Sequence, residues 1–168
     1  MKKIFILLFL GAGASAAAQT PFADCFFDKT MRFDYYHAGD SRSEEYFFDA
    51  LKEEPYWAGS KVSLVDTTGY GNQFFRIVDR ASGREIYSRG FCTLFNEWQS
   101  TPEADSVRRS YPESVVFPYP KRPCRIEIFT RNGKGRFEKR FSQNIDPDSY
   151  FIERFTPRCE TFEVMYSG

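Results

Sequence analysis

The chain has 168 residues, and its 23 basic side chains balance 23 acidic ones, so the formal net charge at pH 7 is zero. This balance argues against a nucleic-acid partner, which requires a concentrated basic surface. Aromatic residues make up 18% of the chain. Because large rings suit the pleated surface of strands and dominate core burial, the composition predicts a β-rich fold with an aromatic core.

Residues 1–18 have the order of a secretory signal peptide. Lys2 and Lys3 precede an apolar run at 4–10, and small residues follow up to Ala18. The run is too short to span a bilayer, which takes about 20 apolar residues. We therefore expect cleavage near Ala18 and a secreted or periplasmic protein without a membrane span. The remaining residues, 19–168, are expected to form a single domain.

Short apolar and polar alternations separated by turn residues predict an all-β, antiparallel β-sandwich with at most one short helix. The clearest hairpin joins 73–79 to 85–91 across a short loop that contains Gly83, and a second joins 125–130 to 136–145. The other predicted strands, in chain order, are 31–37, 45–51, 61–66, 114–117, 150–155 and 161–166.

Two segments depart from this pattern. Residues 102–109 have the chemistry of a short helix, with Thr101 as a possible cap, proline in the first turn and acidic residues early. Pro118 and Pro120 are expected to end regular strand pairing, because proline has no N–H to donate to a sheet.

The chain contains four cysteines, Cys25, Cys92, Cys124 and Cys159. An oxidising compartment permits disulfides, and three pairings are possible. The strand-like surroundings favour Cys92 with Cys124 slightly, with Cys25 and Cys159 as the other candidates, and buried free thiols are an equal alternative. No C-x-x-C pair occurs, so the spacing predicts no metal site.

His37 is the only histidine, which excludes a two-histidine zinc site such as H-E-x-x-H within this chain. A general base beside Asp34 or Asp40 is one interpretation of His37. A hydrogen-bonded surface histidine at a strand end is the favoured one. We assign no catalytic, metal-binding or cofactor-binding residue, and we expect no cofactor.

Other side chains allow two further hypotheses. A glycosidase needs two carboxylates around one bond, and its candidates are Glu44, Glu45, Glu53, Glu54 and Glu97. Solvated side chains are favoured instead, because adjacent strand residues point to opposite faces. Aromatic residues near turns could form an exposed surface that binds protein or sugar, or could pack at the edge of the β-sandwich. These residues are Tyr56, Trp57, Trp98 and Tyr119.

Five segments of the sequence are distinctive: TMRFDYYHAGD at 30–40, EEPYWAGSKVSLVD at 53–66, IYSRGF at 86–91, FPYPKR at 117–122 and DPDSYFIER at 146–154. In this order they resemble the amino-terminal domain of the IgA-peptidase family of secreted bacterial zinc metallopeptidases. The resemblance implies a β-sandwich that precedes a separate zinc peptidase domain bearing H-E-x-x-H. It implies no zinc ligand or catalytic glutamate at any position of this sequence.

The resemblance predicts a non-catalytic accessory domain, either part of a longer peptidase or a stand-alone relative. Its partner would be a peptidase catalytic domain, on which it packs, or protein substrate, which it helps to present. The alternative is a stand-alone carbohydrate-binding module that holds glycan with the exposed aromatic residues.

Overall fold

The computed structural model describes residues 21–156. The predicted signal peptide, the predicted strand at 161–166 and Cys159 lie outside these residues. In chain order the described elements are α1 (Phe22–Cys25), β1 (Phe26–Gly39), β2 (Glu44–Glu54), β3 (Gln73–Asp79), β4 (Glu85–Phe91), α2 (Leu94–Gln99), a 3-10 helix (Pro102–Asp105), β5 (Arg109–Pro120), β6 (Cys124–Arg131), β7 (Phe137–Ile145) and β8 (Ile152–Glu153).

The strands of the described region form two sheets, and every pairing except that of β8 is antiparallel. The first sheet has the order β5, β1, β2, β8, and the second has the order β4, β3, β6, β7. The long strand β1 pairs with β2 on one side and with β5 on the other. β8 runs parallel to β2 and pairs only with Leu51 and Lys52. The predicted antiparallel β-sandwich is confirmed.

The core lies between the two sheets and is built largely from rings. Phe33 on β1 contacts Phe141 on β7 with ring centroids 6.1 Å apart, and Phe75 on β3 contacts Phe117 on β5 at 6.3 Å. Burial of such rings removes more apolar surface per side chain than aliphatic residues can, which is why they stabilise a domain of this size. The predicted aromatic core is confirmed. Its fully buried rings include Phe26, Phe33, Tyr35, Phe95 and Phe117.

Both predicted hairpins are present. β3 and β4 have the predicted bounds, and their loop turns at Gly83, whose φ of +69° is one that glycine adopts without strain. The carboxylate of Asp79 closes the same loop by accepting from the N–H and the hydroxyl of Ser82, at 3.0 and 2.5 Å. β6 and β7 form the second hairpin. Of the predicted strand at 150–155, only β8 forms.

The predicted strand at 61–66 is wrong. The hydroxyl of Ser60 accepts from the N–H groups of Val62 and Ser63, at 3.2 and 2.9 Å, and so holds this segment in a turn. Leu64 is buried, and its carbonyl accepts from the N–H of Ser88 at 3.0 Å. The alternating pattern at 61–66 therefore does not indicate a strand here. Leu64 is the buried residue of this segment, which belongs to a loop that covers β4.

The expectation that the prolines end strand pairing is also wrong. β5 continues through both Pro118 and Pro120, and Pro118 is the register partner of Thr30 on β1. β5 is an edge strand of the first sheet. An edge position tolerates proline because a strand there needs backbone partners on one side only.

The predicted helix at 102–109 is reduced to the 3-10 helix. The hydroxyl of Thr101 does not cap it and instead donates to the carbonyl of Trp98 at 2.7 Å. Sequence reasoning missed α2, which precedes it. The Oγ1 of Thr93 caps α2 by accepting from the N–H of Asn96 at 3.2 Å, as a helix start requires.

The preferred disulfide between Cys92 and Cys124 does not form. Cys124 is the register partner of Asp79 at the end of β3, whereas Cys92 follows the end of β4 that pairs with the start of β3. A strand of this length separates the two by about 20 Å, while a disulfide needs Cα atoms within about 7 Å. Cys25, Cys92 and Cys124 are all free in the described region, and Cys92 alone of these is exposed.

Candidate functional site

The most unusual polar feature is His37, whose imidazole is fully buried near one end of the sandwich. Its Nε2 lies 3.1 Å from Oε2 of Glu44, at the start of β2, and its Nδ1 lies 3.2 Å from Oε2 of Glu113 on β5. The turn between β1 and β2 brings Glu44 to the imidazole, and the pairing of β1 with β5 brings Glu113. We call these three residues the histidine cluster.

Two aromatic rings enclose the imidazole of His37. The ring of Tyr46 stacks on it with centroids 4.2 Å apart, and the ring of Phe95 lies at 3.9 Å. Phe95 is in α2, and its backbone N–H donates to Oε1 of Glu113 at 3.2 Å. α2 therefore covers the buried imidazole and holds Glu113 in place, so this short helix has a structural role.

A second layer of hydrogen bonds ties the histidine cluster to the other sheet. The hydroxyl of Tyr46 donates to Oε1 of Gln73, a fully buried residue of β3, at 2.9 Å. The Nε2 of Gln73 donates to Oδ1 of Asn96 on α2 at 2.9 Å and to Oγ1 of Thr130 on β6 at 3.1 Å. Both sheets and α2 thus share one polar network, and buried polar groups that are satisfied in this way fix a unique arrangement.

The histidine cluster favours a protonated imidazole. Burial lowers the pKa of His37, but the hydrogen bonds and negative charges of Glu113 and Glu44 outweigh it and raise that pKa above its ordinary 6.5. Burial raises the pKa of Glu44, but hydrogen bonds from His37 and Thr130 and the charges of His37 and Arg140 leave it below its ordinary 4.5. Both shifts favour a proton on His37 rather than on Glu44.

The histidine cluster reaches the surface through Glu44. The Nε of Arg140 on β7 lies 3.0 Å from Oε1 of Glu44, and both side chains line a shallow pocket of about 350 Å³. Behind the cluster, the hydroxyl of Tyr35 is buried without a hydrogen-bond partner among the described residues. Glu44 thus connects the buried imidazole of His37 to Arg140 at the surface.

The structure corrects the interpretation of His37 as a surface residue. Its partners are Glu44 and Glu113 rather than Asp34 or Asp40. Asp34 instead binds Arg32 and Ser114, with Arg32 Nε at 2.8 Å, on the outer face of the first sheet. The sequence does indicate that His37 is buried. His37 lies two and four residues after Tyr35 and Phe33, so its side chain points to the same face of β1 as these core residues.

The four aromatic residues proposed as a binding surface do not lie together. Tyr56 is exposed, at 79%. Trp57 is half-buried, its Nε1 donates to the carbonyl of Ser60 at 3.1 Å, and its ring meets Tyr87 edge-on. The other two are core residues. Trp98 packs with Phe95 and Ala104, and the hydroxyl of Tyr119 donates to the carbonyl of Pro147 at 2.7 Å.

The glutamates considered for a glycosidase are dispersed or paired with cations. Glu53 pairs with Lys29 at 2.8 Å and with Arg154 at 3.4 Å, and Glu54 pairs with Arg32 at 3.2 Å. Glu45 and Glu97 are exposed, and Glu44 belongs to the histidine cluster. Between residues 21 and 156, no group of three or more His, Cys, Asp or Glu side chains is arranged to hold a metal ion.

A groove lies between β2 and β7, where the two sheets meet at the side opposite β5 and β4. Its volume is about 500 Å³. Phe48 and Phe151 line it with 42% and 89% of their surfaces exposed. The other lining residues are Asp49, Ala50, Leu51, Gln143, Asn144, Asp146 and Ser149. We call this feature the β2/β7 groove. Exposed apolar side chains around a concave surface are typical of a contact site.

Two largely antiparallel sheets packed face to face define this protein as a β-sandwich domain. The family described as Peptidase M64 N-terminus matches residues 21–142, which is most of the chain, and the chain belongs to this family. No curated protein matches the chain. None of the helices within residues 21–156 has the length and apolar character needed to cross a membrane.

Proposed function

We propose that this chain is the non-catalytic accessory domain of a secreted zinc metallopeptidase of the IgA-peptidase kind, and that it packs on the catalytic domain or presents protein substrate to it. The match of residues 21–142 to the N-terminal family of Peptidase M64 carries this proposal. The order of the five segments that resemble the IgA-peptidase family supports the finer assignment. The apolar run after Lys2 and Lys3 supports export.

The chemistry of the histidine cluster supports an accessory role. A zinc peptidase of the H-E-x-x-H type needs two histidines on one helix face, and this chain has one histidine, on a strand. Both ring nitrogens of His37 face carboxylates within 3.2 Å, and the ring is fully buried. His37 therefore serves the fold, and the peptidase chemistry belongs to a separate domain.

Binding between this chain and a separately produced Peptidase M64 catalytic domain tests the proposal. We expect a saturable complex of one to one stoichiometry by isothermal titration calorimetry. An unrelated zinc peptidase catalytic domain is the matched control and should give no heat of binding. If the M64 catalytic domain gives no more heat of binding than this control at the same concentrations, the proposal is contradicted.

The alternative function is a carbohydrate-binding module. With Trp98 and Tyr119 in the core, Tyr56 and Trp57 are the candidates that remain near the surface. A glycan array probed with the wild-type chain and with Trp57→Ala distinguishes the two functions. Binding that depends on Trp57 favours the module, and a silent array favours the accessory domain.

A further inference from the structure

We propose that the catalytic domain docks in the β2/β7 groove, and that an extended segment of that domain adds to the free edge of β2. This inference rests on the proposed function and names the surface and the mode of contact. Strand addition supplies backbone hydrogen bonds from the sheet edge, while neighbouring pockets receive alternate side chains.

The other side of the sandwich is closed to strand addition. Its edge strands are β5 and β4. β5 contains Pro112, Pro118 and Pro120, which lack the N–H groups that an added strand would need. A loop covers β4, because Leu64 accepts from the N–H of Ser88 at 3.0 Å. This loop also approaches so closely that a Cβ on Gly90 would lie 1.8 Å from the carbonyl oxygen of Tyr70.

The side that holds the β2/β7 groove is open. Because β8 reaches only Leu51 and Lys52, residues 44–48 and Ala50 of β2 pair with β1 alone within the described region, with a β-bulge at Asp49. β7 likewise pairs with β6 alone among the described strands. The two open edges lie close together, since the rings of Tyr46 on β2 and Phe141 on β7 are 6.1 Å apart. Sheet edges with free backbone N–H and C=O groups are templates for pairing with another chain.

The lining of the groove indicates the chemistry of its occupant. Phe48 and Phe151 offer exposed rings, with Leu51 between the two sheets, so the groove accepts an apolar anchor. The charged residues that line it, Asp49 and Asp146, are both acidic. Complementary charge in the incoming segment therefore means a lysine or arginine next to the apolar anchor.

The last described residues of the chain lie beside the groove. β8 pairs with β2, and the chain then leaves along Phe155 and Thr156, which line a second pocket with Lys52 and Glu53 of the same strand. A domain connected through this exit is held near the β2 edge at high effective concentration. Exit, open edges and exposed rings coincide on one side of the molecule, which is why this face and not another is assigned to the catalytic domain.

Calorimetry with the full chain and a separately produced Peptidase M64 catalytic domain tests the location. Phe151→Asp, and Asp49→Lys combined with Asp146→Lys, should each weaken binding about tenfold or more, the size expected for central contacts. Tyr70→Asp changes a ring that is 78% exposed beside β4 and is the matched control. It should leave the affinity within about twofold, and thermal unfolding should confirm that all variants fold.

Hydrogen exchange of the complex tests the mode of contact. Amides of residues 44–50 should gain protection on binding, because an added strand takes up their free edge. Protection elsewhere, together with unchanged affinity for the groove variants, would overturn the docking site while leaving the proposed function standing. Groove variants that bind the catalytic domain normally, but whose complexes with it cleave protein substrate poorly, would assign the groove to substrate instead. No binding by the wild-type chain would instead overturn the proposed function.

Discussion

Oε2 of Glu113 lies 3.2 Å from Nδ1 of His37, although 76 residues separate them in sequence. Glu113 also accepts from the backbone N–H of Phe95, so one carboxylate connects β5, β1 and α2. This contact and the one between His37 and Glu44 make the histidine cluster the polar centre of one end of the sandwich. The stability of the domain should therefore depend on it.

Removal of the imidazole should destabilise the fold strongly. His37→Ala leaves Glu44 and Glu113 facing each other with most of their surface buried. Breaking a buried charged pair in this way costs about 3 to 5 kcal/mol. Urea unfolding monitored by circular dichroism measures the change in the free energy of unfolding. Glu45→Ala, at the exposed position beside Glu44, should stay within about 0.5 kcal/mol of wild type.

The stability contributed by the cluster should depend on pH in a defined window. The pKa of His37 is raised, so its contribution is complete below pH 6.5, the ordinary value, and is lost as the pH rises through the raised value. The pKa of Glu44 is lowered, so its contribution is complete above pH 4.5 and is lost as the pH falls through the lowered value. The cluster therefore contributes most between these two limits.

Nuclear magnetic resonance titration of an untagged chain measures the pKa of His37 directly, since His37 is the only histidine. Its imidazole should titrate above pH 6.5. In urea unfolding, the stability of the wild-type chain should fall as the pH rises through the pKa of His37, and that of His37→Gln should not. An imidazole that titrates below 6.5 would show that burial outweighs the two carboxylates.

Substitution by alanine should destabilise the fold far more at Trp98 than at Tyr56. Trp98 is 8% exposed and Tyr56 is 79% exposed. Trp98→Ala removes a buried ring and the hydrogen bond from its Nε1 to Glu103, so it should cost about 3 kcal/mol or more in unfolding free energy. Tyr56→Ala should cost less than about 0.5 kcal/mol. Equal effects in thermal unfolding would contradict these burial assignments.

Thiol labelling should distinguish Cys92 from the buried cysteines. In a Cys159→Ser background, the folded chain should react at Cys92 at once and at Cys25 and Cys124 only after denaturation. Burial raises the pKa of the Cys124 thiol to about 12, so the reactive thiolate is scarce there as well as inaccessible. Rapid labelling of Cys124 in the folded chain, identified by mass spectrometry, would contradict this packing.

Local alternation predicted the sandwich well because period-two patterns record which face of a strand is buried. β3 and β4 were predicted to the residue, since Gly83 and the residues around it define their turn. Residues 61–66 show the limit of this reasoning. Their alternation is real, but Ser60 fixes a turn and only Leu64 is buried, so tertiary contacts decide the structure.

The histidine cluster could be predicted only in part. The parity of His37 with Phe33 and Tyr35 indicates an inward side chain, and Glu44 is near in sequence. The role of Glu113 depends on the pairing of β5 with β1, which spans most of the chain and leaves no local signal. Trp98 and Tyr119 look like turn residues in the sequence and yet are buried in the core. Their burial likewise depends on contacts that leave no local signal.

A proteolysis assay tests our proposal that this chain is a non-catalytic accessory domain. The purified chain is incubated with zinc and a protein substrate, with and without a metal chelator. We expect no chelator-sensitive cleavage, because the only imidazole of the chain is enclosed between Glu44 and Glu113. Cleavage that the chelator abolishes and added zinc restores would contradict it.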